Sequence, residues 1–162
     1  MGINLFYLAL LIGCSIYAIG WGGAPERIGM AIVASNAVLS FVAVSAPAVR
    51  FRGVEVGVFS VDVVAFLLFA ALAMRANRFW PIWVSALLGL GVVGHLAMSL
   101  HPRVIPWAYA VVLSIWSYPI LLLIVAGTVG HRRRLKRNGA DPSWTHSSDP
   151  PGPRTPLPGQ TR

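Results

Sequence analysis

Residues 54–74 read VEVGVFSVDVVAFLLFAALAM, a run that is apolar almost throughout but carries Asp62 near its middle. A helix crossing a bilayer needs roughly 20 mostly apolar residues, and this stretch supplies them. An aspartate at the centre of such a helix costs roughly 2.5–3.5 kcal/mol on insertion scales. The fold and any internal chemistry therefore turn on the same segment.

The rest of the chain has the same character. Of 162 residues, 56% are hydrophobic and 11% charged, where soluble domains carry about 25% charged residues. The mean hydropathy is +0.70. The acids are Glu26, Glu55, Asp62, Asp141 and Asp149 alone, too few to cover a water-facing surface. Five stretches qualify as spans: about 3–21, 28–47, 54–74, 79–100 and 104–130. The connections GGAPER, AVRFRG, RANR and HPR are short and carry Gly, Pro or charge, so sequential helices should be antiparallel. Open sheets leave unsatisfied edges in lipid, and the period-two alternation of a barrel is missing. The expectation is an all-α membrane protein, an antiparallel bundle of five transmembrane helices over residues 1–137.

Lys and Arg near the span ends set orientation. With the C-terminus cytoplasmic, the inner side holds Arg27, Arg75, Arg78, Arg132, Arg133, Arg134, Lys136 and Arg137; the outer side holds Arg50, Arg52 and Arg103. That bias predicts an outer N-terminus. The basic patch from Arg132 to Arg137 reads as a topology signal that also faces anionic lipid. Trp21, Trp80, Trp83 and Trp107 fall near span ends, where indoles anchor at headgroup level. Residues 138–162 are rich in Pro, Ser, Thr and Gly and poor in large apolar side chains, so a disordered cytoplasmic tail is expected, dispensable beyond Arg137. The net charge of +8 is concentrated beside the membrane, which argues against nucleic acid as a partner.

Counting from the connections finds candidate partners for Asp62. It lies fifteen residues before Asn77, and His95 lies eighteen after it, so their depths differ by roughly 4–5 Å. His95 and Tyr109 are equally far from Pro102, and Asn36 in the second span lies somewhat deeper. A polar layer of Asp62, His95, Tyr109 and Asn36 follows, in the outer half of the bilayer. Two readings stand: a hydrogen-bonded clasp that fixes helix packing, or a carboxylate–imidazole site that loads and releases a proton. Pro119, in SIWSYPILL, reads as a kink in the fifth span. Cys14 is alone, which gives no disulfide and no metal pair. No cofactor, metal site or enzymatic motif is expected.

The block RANRFWPIWVSALLGLGVVGHLAM, with PWAYAVVLSIWSYPILLL and HRRR after it, resembles a group of small uncharacterised bacterial inner-membrane proteins. These carry a similar R-F-W-P-x-W opening, a His late in the next span, a W-A-Y stretch and a basic end. The resemblance covers about the last three spans. It implies a multi-pass protein of the bacterial cytoplasmic membrane with no established activity, and it transfers no catalytic residue. The first functional expectation is a non-enzymatic component that packs with itself or another membrane protein. The alternative is a small transporter or proton-linked channel built on Asp62 and His95.

Overall fold

A computed structural model describes residues 5–43, 56–100 and 115–144. Five helices lie among them: α1 (Leu5–Trp21), α2 (Ala24–Ala43), α3 (Val56–Arg75), α4 (Trp80–Leu100) and α5 (Ser117–Asn138). Three of these, α2, α3 and α4, are long and apolar enough to cross a membrane. Helix α1 is apolar but has 17 residues, and α5 runs from an apolar first half into HRRRLKRN.

Each helix packs against its sequence neighbours, and α5 closes the ring against α1 while also touching α2. Helices α3 and α4 share the most extensive interface. Two residues, Gly22 and Gly23, separate α1 from α2, which enforces an antiparallel pair. Gly22 N–H closes α1 on Ala18 O at 2.9 Å, and Arg27 Nε donates to Gly22 O at 3.1 Å. Pro25 falls in the first turn of α2, where its missing N–H costs no helical bond.

Inside the ring, Met30, Phe69, Val84, Leu121 and Ile124 are fully buried. Outside it, Ile12, Ile16, Val64, Leu67, Leu68, Val93 and Leu96 are exposed. A ring apolar on both faces suits lipid as its solvent.

Two expectations are corrected here. Trp80 is not an interfacial anchor: it is 7% exposed, and its indole lies between α2 and α5. A Cβ on Gly29 would fall 2.5 Å from Trp80 Cη2, and one on Gly127 would fall 2.6 Å from Trp80 Nε1. Only bare α-carbons leave room for the ring. Trp21 and Trp83 are half exposed, as an anchor requires, and Trp107 lies outside the described residues. The expected kink at Pro119 falls beside a break in the helix: Ile115 is helical, Trp116 is a turn, and the rest of the fifth span before them lies outside the described residues. Trp116 is the N-cap of α5, so Pro119 sits in the first turn, where the helix lacks an intrahelical acceptor for an N–H anyway.

The second correction concerns the boundary at 138. The basic run stays helical to Asn138, where Gly139 ends it with φ 71° and an N–H to Leu135 O at 3.0 Å. The chain then folds back. Asn77 N–H donates to Ser143 O at 3.1 Å, Ala76 and Trp144 form an antiparallel bridge, and Trp144 packs on the core. An acid, Asp141, holds this segment through basic partners, which composition alone does not reveal. The remaining tail, from 145, lies outside the described residues.

Candidate functional site

Asn36, Asp62 and His95 come together at one level, from α2, α3 and α4. Asp62 Oδ1 accepts a hydrogen bond from Asn36 Nδ2 at 3.2 Å. Asp62 Oδ2 lies 3.0 Å from His95 Nε2. An ionised carboxylate only accepts, so the Asn36 amide must turn its NH2 toward Asp62. Its Oδ1 is then left buried without a hydrogen-bond partner among the described residues, as is Ser40 Oγ one turn along. His95 is almost wholly buried (1% exposed), and the Phe59 ring meets it edge-on at 5.6 Å between centroids. Asp62 keeps 20% of its side chain accessible. Tyr109, the fourth member expected, lies outside the described residues.

The helix pattern explains the meeting. Ala65, Phe69 and Leu72 are buried on α3, and Val84, His95 and Met98 on α4, so Asp62 and His95 continue the inward faces of their helices. A Cβ on Gly57 would come within 3.0 Å of Ala43 O, which shows how closely α2 and α3 approach beyond Asp62.

A cavity of ≈ 70 Å³ reaches the carboxylate. Asn36, Asp62, Tyr7 and Ser117 give it polar walls; Phe69, Leu87, Leu88 and Ile120 are among its apolar ones. About 10–15 Å³ suffices for one water, so this cavity has room for several. A partly buried carboxylate, an imidazole in direct contact and a polar space beside them can bind a proton and exchange it.

The opposite end of the bundle holds a second polar group that the sequence reading missed. Glu26 Oε1 accepts from Trp80 Nε1 at 3.1 Å and lies 3.3 Å from Arg78 Nε, the latter an ion-pair contact outside hydrogen-bond alignment. Arg78 Nη2 meets Asp141 Oδ2 at 2.7 Å, and Arg78 Nη1 donates to Asn77 O and Pro142 O. Asp141 also takes His131 Nδ1 at 2.6 Å and Arg134 Nε at 2.9 Å. Burial alone would raise the Asp141 carboxyl. The hydrogen bonds from Arg134 and His131 and the charges of Arg78 and Arg134 outweigh it and hold the group below the usual carboxylate range.

Within the expected basic patch, Arg134 is therefore committed to Asp141, and Arg132 stacks on Trp21 at 5.8 Å. Arg133, Lys136 and Arg137 remain exposed. The available signal for this second cluster was scarcity. In a chain with five acids, each of the three described ones, Glu26, Asp62 and Asp141, contacts a basic or imidazole side chain. No group of three or more His, Cys, Asp or Glu converges among the described residues as a metal site would need. Comparison with protein-family models, curated proteins and solved structures gave no match.

Proposed function

We propose that this chain is a five-span protein of a bacterial cytoplasmic membrane, N-terminus outside, in which Asp62 and His95 load and release a proton. The observation that supports this reading most is the ≈ 70 Å³ cavity lined by Asp62 and Asn36. A clasp made only for packing needs neither the space nor the accessible carboxylate. A proton site needs both, because the proton must arrive through something other than hydrocarbon. Association with a second copy or another membrane protein is compatible with this role.

The clasp reading keeps one observation of its own, the direct 3.0 Å contact to an almost wholly buried imidazole. Proton uptake by vesicles containing the purified protein separates the two. Asp62→Asn should abolish a pH-driven response while leaving thermal unfolding unchanged, since an amide cannot titrate but still hydrogen-bonds. Equal proton uptake by wild type and Asp62→Asn would leave only the clasp.

A further inference from the structure

Glu26 is fully buried, yet only one of its oxygens is used. Trp80 Nε1 and Arg78 Nε both approach Oε1, while Oε2 is buried without a hydrogen-bond partner among the described residues. A carboxylate kept solely as an ion-pair partner normally has both oxygens satisfied, because an unmet buried acceptor carries its full desolvation cost. The bare α-carbon of Gly23 explains what Oε2 faces. A Cβ there would lie 2.9 Å from Glu26 Oε2 and 3.1 Å from both Cε1 and Nδ1 of His131. The buried oxygen and the imidazole thus converge on one glycine. His131 keeps 13% of its side chain exposed, so its ring connects this point to the surface.

We propose that Glu26 is a second proton-binding station, at the end of the bundle opposite Asp62, which exchanges its proton with the tail-side solution past the bare α-carbon of Gly23 when the close packing there opens. The proton bonds to Oε2 and comes from water, leaving hydroxide behind; His131 Nδ1 stays on Asp141 Oδ2. Oε1 goes on accepting from Trp80. The groups facing Glu26 tolerate its neutralisation. Arg78 retains Asp141, Asn77 O and Pro142 O, and the Asp141 charge is further matched by Arg134 and His131. Arg27, on the same helix, is turned to Gly22 O.

The two stations are separated. Glu26 and Asn36 lie ten residues apart on α2, about 15 Å along the axis. Between these levels Met30, Val33, Phe69, Leu121 and Ile124 form a closely buried apolar layer. Glu26 and Asp62 should therefore answer to opposite sides of the membrane. The physiological use of this station rests on the proton-linked reading above; the site itself does not depend on Asp62.

The chain contains only two glutamates, at 26 and 55. Carboxyl-labelled glutamate in a full-length Glu55→Gln protein therefore reports on Glu26 alone, without altering the site. In lipid vesicles, the infrared carboxyl signal of Glu26 should gain and lose a proton while the helices stay folded. It should follow a pH jump on the tail side, unchanged in Asp62→Asn, and Gly23→Val should slow it severalfold. A label that stays ionised until the bundle unfolds, that follows only the opposite side, or that responds equally fast in a folded Gly23→Val protein overturns the proposal. If Glu26 exchanges and Asp62 does not, the inner station stands and the proposed role of Asp62 falls.

Discussion

Asp62 Oδ2 sits 3.0 Å from His95 Nε2 while Asn36 Nδ2 occupies the other oxygen, so one carboxylate joins three helices. Asp62→Asn keeps a group that donates and accepts, and interhelical hydrogen bonds in membranes average about 0.6 kcal/mol, so its unfolding midpoint in detergent should barely move. Asp62→Leu removes the carboxylate that His95 and Asn36 both contact, which costs about 1–3 kcal/mol. Equal stability of the two variants would show that the carboxylate contributes nothing to packing.

The glycines divide into two sets. Gly29→Ala and Gly127→Ala drive a methyl into the buried Trp80 ring, which is wedged between them and hydrogen-bonded to Glu26. Overpacking of this kind costs about 1–3 kcal/mol. Gly13→Ala and Gly91→Ala meet nothing within 4 Å and remove a helix-weakening glycine, so they should be neutral or stabilising by up to about 1 kcal/mol. Thermal unfolding of the four single variants checks this; similar shifts in both sets would contradict the wedge.

Those same glycines show what the sequence concealed. The level of Asp62 and His95 was legible because a short antiparallel connection fixes depth by counting residues. Asn36 followed from the same arithmetic on α2. Trp80 was misread because its position at a helix start matches an anchor, whereas its burial is decided by Gly29 and Gly127 on two other helices. Glu26 looked like a loop acid, since no local pattern says that Arg78, fifty-two residues on, will meet it. Asp141 was hidden by its polar surroundings: low hydrophobicity predicts disorder, but three basic partners outweigh the ordering entropy of one short segment.

The described structure puts Arg27, Arg75, Arg78 and the basic run of α5 at one end of the bundle. A shared end is what the charge bias requires, and it makes the orientation testable as a unit. Reporter fusions after Arg78 and after Arg137 should both report cytoplasm. A periplasmic signal from either one overturns the proposed five-span arrangement.

Truncation is now expected to depend on where it falls. Ending the chain after Trp144 retains every described contact of the returning segment and should leave unfolding unchanged. Ending it after Arg137 removes Asp141, the partner of Arg78, whose side chains are 5% and 3% exposed. Breaking a buried pair costs about 3–5 kcal/mol. Arg134 adds little, being 44% exposed and screened by solvent. The pH dependence has a definite sign. Because the folded Asp141 carboxyl is held low, its contribution is complete above the unfolded value of about 3.9 and is lost as pH falls through the lower folded value. The Asn77 amide, bonded to Ser143 O, reports docking through hydrogen exchange. Its protection should persist from neutral pH into mild acid and collapse only below that range. Asp141→Asn should weaken protection already at neutral pH and erase the acid step; an identical profile in the variant would show that Asp141 does not hold the segment.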